Sequence, residues 1–145
     1  MVEIRIATQQ DAELVERDMN PFQEKLILGL GDHTTRECVS RAFGGSVRTW
    51  AGLVDGELVA VWGVYPLEGG CGYPWLFSLP AIAKHRKAAL VIGRRAIGEM
   101  LAIFPRLFGL VDHRFEASVR YAKHLGFNIG QYPVEEPFVT IERTT

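Results

Sequence analysis

Two β-rich runs, residues 47–54 and 57–65, meet at Asp55-Gly56, and this junction constrains the fold more tightly than any other local signal. An Asp-Gly pair supplies the positive φ angles of a tight hairpin turn, so the two runs pair antiparallel. Downstream, residues 84–104 carry Ala88, Ile92, Ala96, Met100 and Phe104 at four-residue spacing. Ala89, Ile97, Leu101 and Ile103 widen that apolar stripe, and Pro105 ends the long helix it predicts. The helix lies between a strand at 74–79 and a short apolar strand at 107–111. A strand–helix–strand unit of this kind crosses over right-handed and makes its strands parallel neighbours. A mixed sheet with helices on both faces follows.

The remaining elements fit the same plan. Val2, Ile4 and Ile6 alternate with Glu3 and Arg5 as in a half-buried strand. Thr8 precedes Asp11 at capping-box spacing, and Ala12, Val15 and Met19 continue at helical spacing. Pro21 permits a new helical start, with a short candidate at 22–28 ended by Gly29 and Gly31. Thr34 or Thr35 caps a further helix that turns Val39, Ala42 and Phe43 inward before Gly44-Gly45. Residues 66–72 read as a Gly-rich loop, 116–125 as an amphipathic helix closed by Gly126, and 127–129 and 138–141 as the last strands.

A chain of 145 residues is enough for one domain with a core and too short for two ordinary ones, so residues 1–145 are expected to form a single domain. The net charge of −1 argues against broad nucleic-acid binding, although one local basic patch remains compatible with it. The longest apolar stretches fall far short of a membrane span, and the first eight residues lack the apolar centre of a signal peptide. Cys38 and Cys71 stand far apart and the four histidines are scattered, which suggests no disulfide framework and no metal site. A reducing cytoplasm is the natural compartment.

The closing segment carries a resemblance. Val111-Asp112 ends a strand, Ser118, Arg120 and Tyr121 lie on the next helix, and Leu125-Gly126-Phe127 closes it. With the element order and the Ile-Arg-Ile-Ala-Thr-Gln-Gln-Asp opening, this resembles the GNAT superfamily of acetyl-CoA-dependent N-acyltransferases. The resemblance implies a mixed, mainly antiparallel sheet with a parallel central pair, and acetyl transfer from acetyl-CoA to an amine. Ser118 falls where the family has a small residue, while Phe115 replaces the usual Asn and Ala122 the usual Tyr. A narrower likeness rests on Tyr-Pro-Trp-Leu-Phe-Ser, Phe-Pro-Arg-Leu-Phe-Gly-Leu-Val-Asp and Ser-Val-Arg-Tyr-Ala-Lys-His-Leu-Gly-Phe. These segments are similar to the GNAT-like internal virion (assembly) proteins of short-tailed phages. That likeness implies a phage or prophage origin, the host cytoplasm and phage structural proteins as partners. Exposed sheet edges and aromatic strands are compatible with a homodimer.

In the superfamily the CoA pyrophosphate sits on backbone N–H groups at the start of the central helix, in a (Gln/Arg)-x-x-Gly-x-(Gly/Ala) loop. Here the segment reads Lys84-His85-Arg86-Lys87-Ala88-Ala89-Leu90-Val91. Arg86 stands at the first motif position, Ala89 replaces the first glycine and Val91 the last small residue. Two readings compete. Lys84, Arg86 and Lys87, with the backbone of Ala88 and Ala89, hold the pyrophosphate by charge, or the basic run is a solvated first turn. Phe77, Ser78 and Leu79 take the positions whose backbone amides, in the family, meet the thioester carbonyl and pantetheine.

The catalytic candidates carry alternatives of the same kind. Tyr121 offers a proton to the leaving sulfur, but stands one position from the family tyrosine, about 100° around the helix. It serves equally as a packing residue. Ser118 offers a hydroxyl contact or simply a small side chain. Asp112, with His113 beside it, ends a strand where α/β sheets place ligands and offers a general base; Asp112 can instead cap the following turn. Trp50, Trp62, Trp75 and Phe77 line a groove or fill the core. The competing function is a non-enzymatic assembly protein that keeps the fold without the cofactor.

Overall fold

The computed structural model describes residues 1–19, 34–131, 133 and 136–145; the helical candidate at 22–28 lies outside them. Strand β1 (Val2–Ile6) pairs antiparallel with β2 (Arg48–Val54), from Val2↔Val54 to Ile6↔Trp50. Strand β2 turns through Asp55 (φ 50°) and Gly56 (φ 82°) into antiparallel β3 (Glu57–Leu67), as the hairpin signal required. Helix α1 (Gln9–Asp18) opens on the capping box: the Asp11 amide donates to Thr8 Oγ1 at 3.3 Å, and the Thr8 amide to Asp11 Oδ2 at 2.8 Å. Arg5 adds a bidentate grip on the Asp11 carboxylate at 2.6 and 3.0 Å. Helix α2 (Thr35–Gly45) is capped by Thr34, whose hydroxyl accepts from the Glu37 amide at 3.1 Å.

Two longer expectations are redrawn. Residues 66–72 are not all loop, because β3 runs to Leu67 and strand β4 (Cys71–Ser78) already starts at Cys71. A single 3-10 turn, Glu68–Gly70, joins them, with Gly69 and Gly70 at positive φ. Nor does the long helix begin at Lys84. Pro80–Lys84 forms a 3-10 turn, in which the amides of Ile82 and His85 donate to the carbonyls of Leu79 and Ile82. His85 (φ −132°, ψ 51°) breaks the path, and helix α3 (Arg86–Ile103) starts after it. Strand β5 (Arg106–Asp112), helix α4 (Glu116–His124), and strands β6 (Asn128–Ile129) and β7 (Phe138–Thr144) complete the order.

The strands run β1-β2-β3-β4-β5-β7-β6 in one seven-stranded mixed sheet. Its parallel pair is β4–β5, through Cys71↔Arg106 and Gly72↔Leu107. The chain clusters into two compact units, Met1–Tyr65 with Trp75–Ile92, and Pro66–Pro74 with Gly93–Thr145. In the first unit, β3 is buried on both faces from Val59 to Val64 and reads as a continuous apolar run, as a central strand should. Val15 and Met19 of α1 and Val39 of α2 pack on the sheet face that carries Ala51, Val61, Phe77 and Leu79. On the opposite face, Ile92 of α3 lies over Gly52 and Trp62. Trp50 and Trp62 are buried, and Trp75 stacks at 5.7 Å from Phe43 and 5.0 Å from Phe77. These aromatics fill the core.

In the second unit, β5 pairs antiparallel with β7 along its whole length, from Arg106↔Thr144 to Asp112↔Phe138, and β6 extends β7 on its far side. Helix α4 crosses α3 closely at Gly93, where a Cβ would stand 2.3 Å from the Tyr121 hydroxyl. Only glycine permits that approach. Gly126 (φ 89°) ends α4 in the left-handed conformation.

Candidate cofactor and catalytic site

The break at His85 decides which backbone groups the basic segment can offer. The Ala89 amide donates to the His85 carbonyl at 2.9 Å, the first α-type bond of α3. Helix geometry therefore leaves the amides of Arg86, Lys87 and Ala88 without an intrahelical acceptor. Where a glycine-rich loop would hold the chain open, alanines wind the segment into helix. The Ala89 amide, at the first glycine of the family motif, is consequently tied into the helix.

The side chains give a different picture. Lys84, Arg86 and Lys87 are exposed, and none makes a hydrogen bond or ion pair among the described residues. Cations are disfavoured at the positive end of a helix, and this 18-residue helix starts with two of them, after a third. Among the described residues, the carboxylate contact of this segment is long: His85 Nε2 lies 3.9 Å from Glu57 Oε1. Three cations beside three amides that lack intrahelical acceptors can attract an anion, while the side chains of Ala89 and Val91 restrict the close backbone approach that glycine would give.

Phe77 and Ser78 end β4 and Leu79 follows it, all three buried, at 7%, 9% and 7% exposure. The Leu79 amide is committed to the Val59 carbonyl of β3 at 2.9 Å. Strand alternation turns the Ser78 amide to the other edge of β4.

In the second unit, Asp112 is buried and bound to Arg114. Its Oδ1 accepts from the Arg114 amide and Nε at 3.0 Å each, and its Oδ2 from Nη2 at 2.7 Å. The Arg114 guanidinium holds the Asp112 carboxyl below the usual carboxylate range. A carboxylate so engaged anchors the β5–α4 turn and is a weak proton acceptor. Phe115 stands at the N-cap of helix α4 and gives no side-chain cap, where the resemblance leads one to expect an Asn. Ser118 is half-buried in the first turn, its amide donating to the Phe115 carbonyl at 3.1 Å. Tyr121 faces Gly93 of α3, and burial pushes its phenol up, so it stays protonated at neutral pH.

One contact had no sequence signal. His113 Nε2 lies 3.0 Å from Glu136 Oε2, although 23 residues separate them. Only the β5–β7 register brings them together. Among the described residues, no three His, Cys, Asp or Glu side chains form a metal-binding group, and no helix is long and apolar enough to cross a membrane.

No protein-family model and no curated protein matches the sequence. Solved structures do match over the whole chain. A GNAT-family acetyltransferase from Streptococcus pneumoniae is 14% identical with a TM-score of 0.63, covering 100% of both chains. The ribosomal-protein-S18-alanine N-acetyltransferase from Escherichia coli is 13% identical with a TM-score of 0.68, covering 99% of this chain and 94% of its own. The PaiA N-acetyltransferase from Thermoplasma acidophilum, in complex with coenzyme A, is 11% identical with a TM-score of 0.69, covering 100% and 99%. The chain has the fold of the GNAT acetyltransferases.

Proposed function

We propose that this chain is an acyl-CoA-dependent N-acyltransferase that moves an acetyl group from acetyl-CoA to an amine. The observation that carries this reading is the set of exposed cations, Lys84, Arg86 and Lys87, around the start of α3, which make no ion pair among the described residues. Lys84, Arg86 and Lys87, with the amides at Arg86, Lys87 and Ala88, would hold the pyrophosphate. Ala88 and Ala89 would pack beneath it. Phe77, Ser78 and Leu79 would lie along the pantetheine. Bound acetyl-CoA supplies the activated acyl group. Tyr121 keeps its proton and has the chemistry of an acid for the leaving sulfur, Ser118 that of a polar contact, and Asp112 that of the anchor for their helix.

A second reading has its own observation. With the Ala89 amide bound to His85 and no glycine in the segment, the fold can persist without the cofactor. The chain would then be a phage-encoded assembly protein in the host cytoplasm that binds phage structural proteins or a second copy of itself. Titration with coenzyme A and with pantetheine, which lacks the pyrophosphate, separates the two readings. The transferase reading expects coenzyme A to bind at least about tenfold tighter than pantetheine. Rejection of both at millimolar concentration favours the assembly protein.

A further inference from the structure

The end of the β5–β7 ladder sets a histidine beside a carboxylate. The last registered pair is Asp112↔Phe138. One step outward, the His113 amide donates to the Pro137 carbonyl at 3.0 Å. That bond brings His113 to Glu136, with Nε2 and Oε2 3.0 Å apart. The neighbouring carboxylate, Asp112, is taken by Arg114, so Glu136 is the partner left to the imidazole. His113 is 41% exposed and makes no other side-chain hydrogen bond among the described residues. An imidazole protonated on Nε2 donates to Glu136 and keeps its Nδ1 lone pair open. The pair stands just beyond the C-terminal end of β5, the end of a strand at which α/β sheets place ligands. One backbone bond beyond the ladder, from the His113 amide to the Pro137 carbonyl, holds the two chain segments together beside the pair.

We propose that His113 is the general base that takes the proton from the acceptor ammonium, with Glu136 as its positioning residue; this inference rests on the transferase reading above. Nδ1 of His113 accepts one proton, and the freed amine forms the C–N bond to the acyl carbon. The C–S bond breaks, the surplus proton on nitrogen passes to the thiolate, and the thiol leaves. The imidazolium returns its proton to water.

Two measurements on the full chain test the proposal. The first needs no cofactor: carbethoxylation by diethyl pyrocarbonate at mildly alkaline pH, followed by peptide mass spectrometry. His113 should react faster than His85 and His124, and Glu136→Gln should slow it several-fold while Glu136→Asp restores part of the rate. A His113 that reacts no faster than the other two, or that ignores Glu136→Gln, overturns the pair. The second compares acetyl transfer to ethylamine, an ammonium at neutral pH, with transfer to hydroxylamine, which is already neutral. His113→Gln should cut transfer to ethylamine about a hundredfold and spare hydroxylamine. Equal loss on both probes, or loss on neither, overturns the role. A wild type that binds acetyl-CoA but acylates neither probe overturns the base and leaves cofactor binding standing, and one that binds no acetyl-CoA overturns both.

Discussion

Asp11 shows how one side chain secures several elements. Burial alone would raise its carboxyl, but the Arg5 guanidinium and the two Thr8 hydrogen bonds outweigh it and hold the group below its usual range. A depressed carboxyl contributes stability that is present above its unfolded value of about 3.9 and is lost as pH falls through the lower folded value. Urea midpoints measured between neutral pH and acid should therefore fall as Asp11 protonates, and less steeply in Asp11→Ala. At neutral pH, Asp11→Ala should cost about 2 kcal/mol, since it removes a cap and leaves Arg5 without its partner. Thr8 and Asp11 were legible as a capping box from their spacing. Arg5 as a third member was not, because it sits on a different element and only the β1–α1 connection brings it close.

At the scale of the element, two glycines of α3 separate propensity from packing. Nothing lies within 4 Å of a Cβ at Gly98, so Gly98→Ala should stabilise by about 0.5–1 kcal/mol through helix propensity. Gly93→Ala gains the same propensity but meets the Tyr121 hydroxyl at 2.3 Å, and the overpacking should leave it about 1–2 kcal/mol less stable. Thermal unfolding of the two variants checks both signs. The hairpin, the crossover helix and α4 were legible because turn chemistry and periodicity are local. The start of α3 was not. Its apolar spacing continues back to Lys84, while the break at His85 depends on the 3-10 turn that Pro80 begins. The role of Asp112 was likewise open in the sequence, where base and anchor look alike. Arg114, two residues on, is the group that engages it. The His113–Glu136 pair is further from local reading still, since it follows from strand register alone.

At the scale of the whole molecule, solved structures only 11–14% identical share this fold over nearly their full length. Such a likeness is carried by element order and burial pattern, which tolerate wide substitution. On the transferase reading proposed above, function would depend on the few residues at the start of α3, where charge would stand in for glycine. Because those charges are exposed, acetyl-CoA affinity should fall steeply with added salt, several-fold between about 0.05 and 0.2 M. A site built on buried backbone amides would respond less. The most direct test is calorimetric titration of acetyl-CoA into the wild type and the Arg86→Ala, Lys87→Ala double variant. Micromolar binding by the wild type, weakened at least about tenfold in the folded double variant, is the predicted result. No binding at millimolar acetyl-CoA, or equal binding by both proteins, would contradict a pyrophosphate held at this helix start.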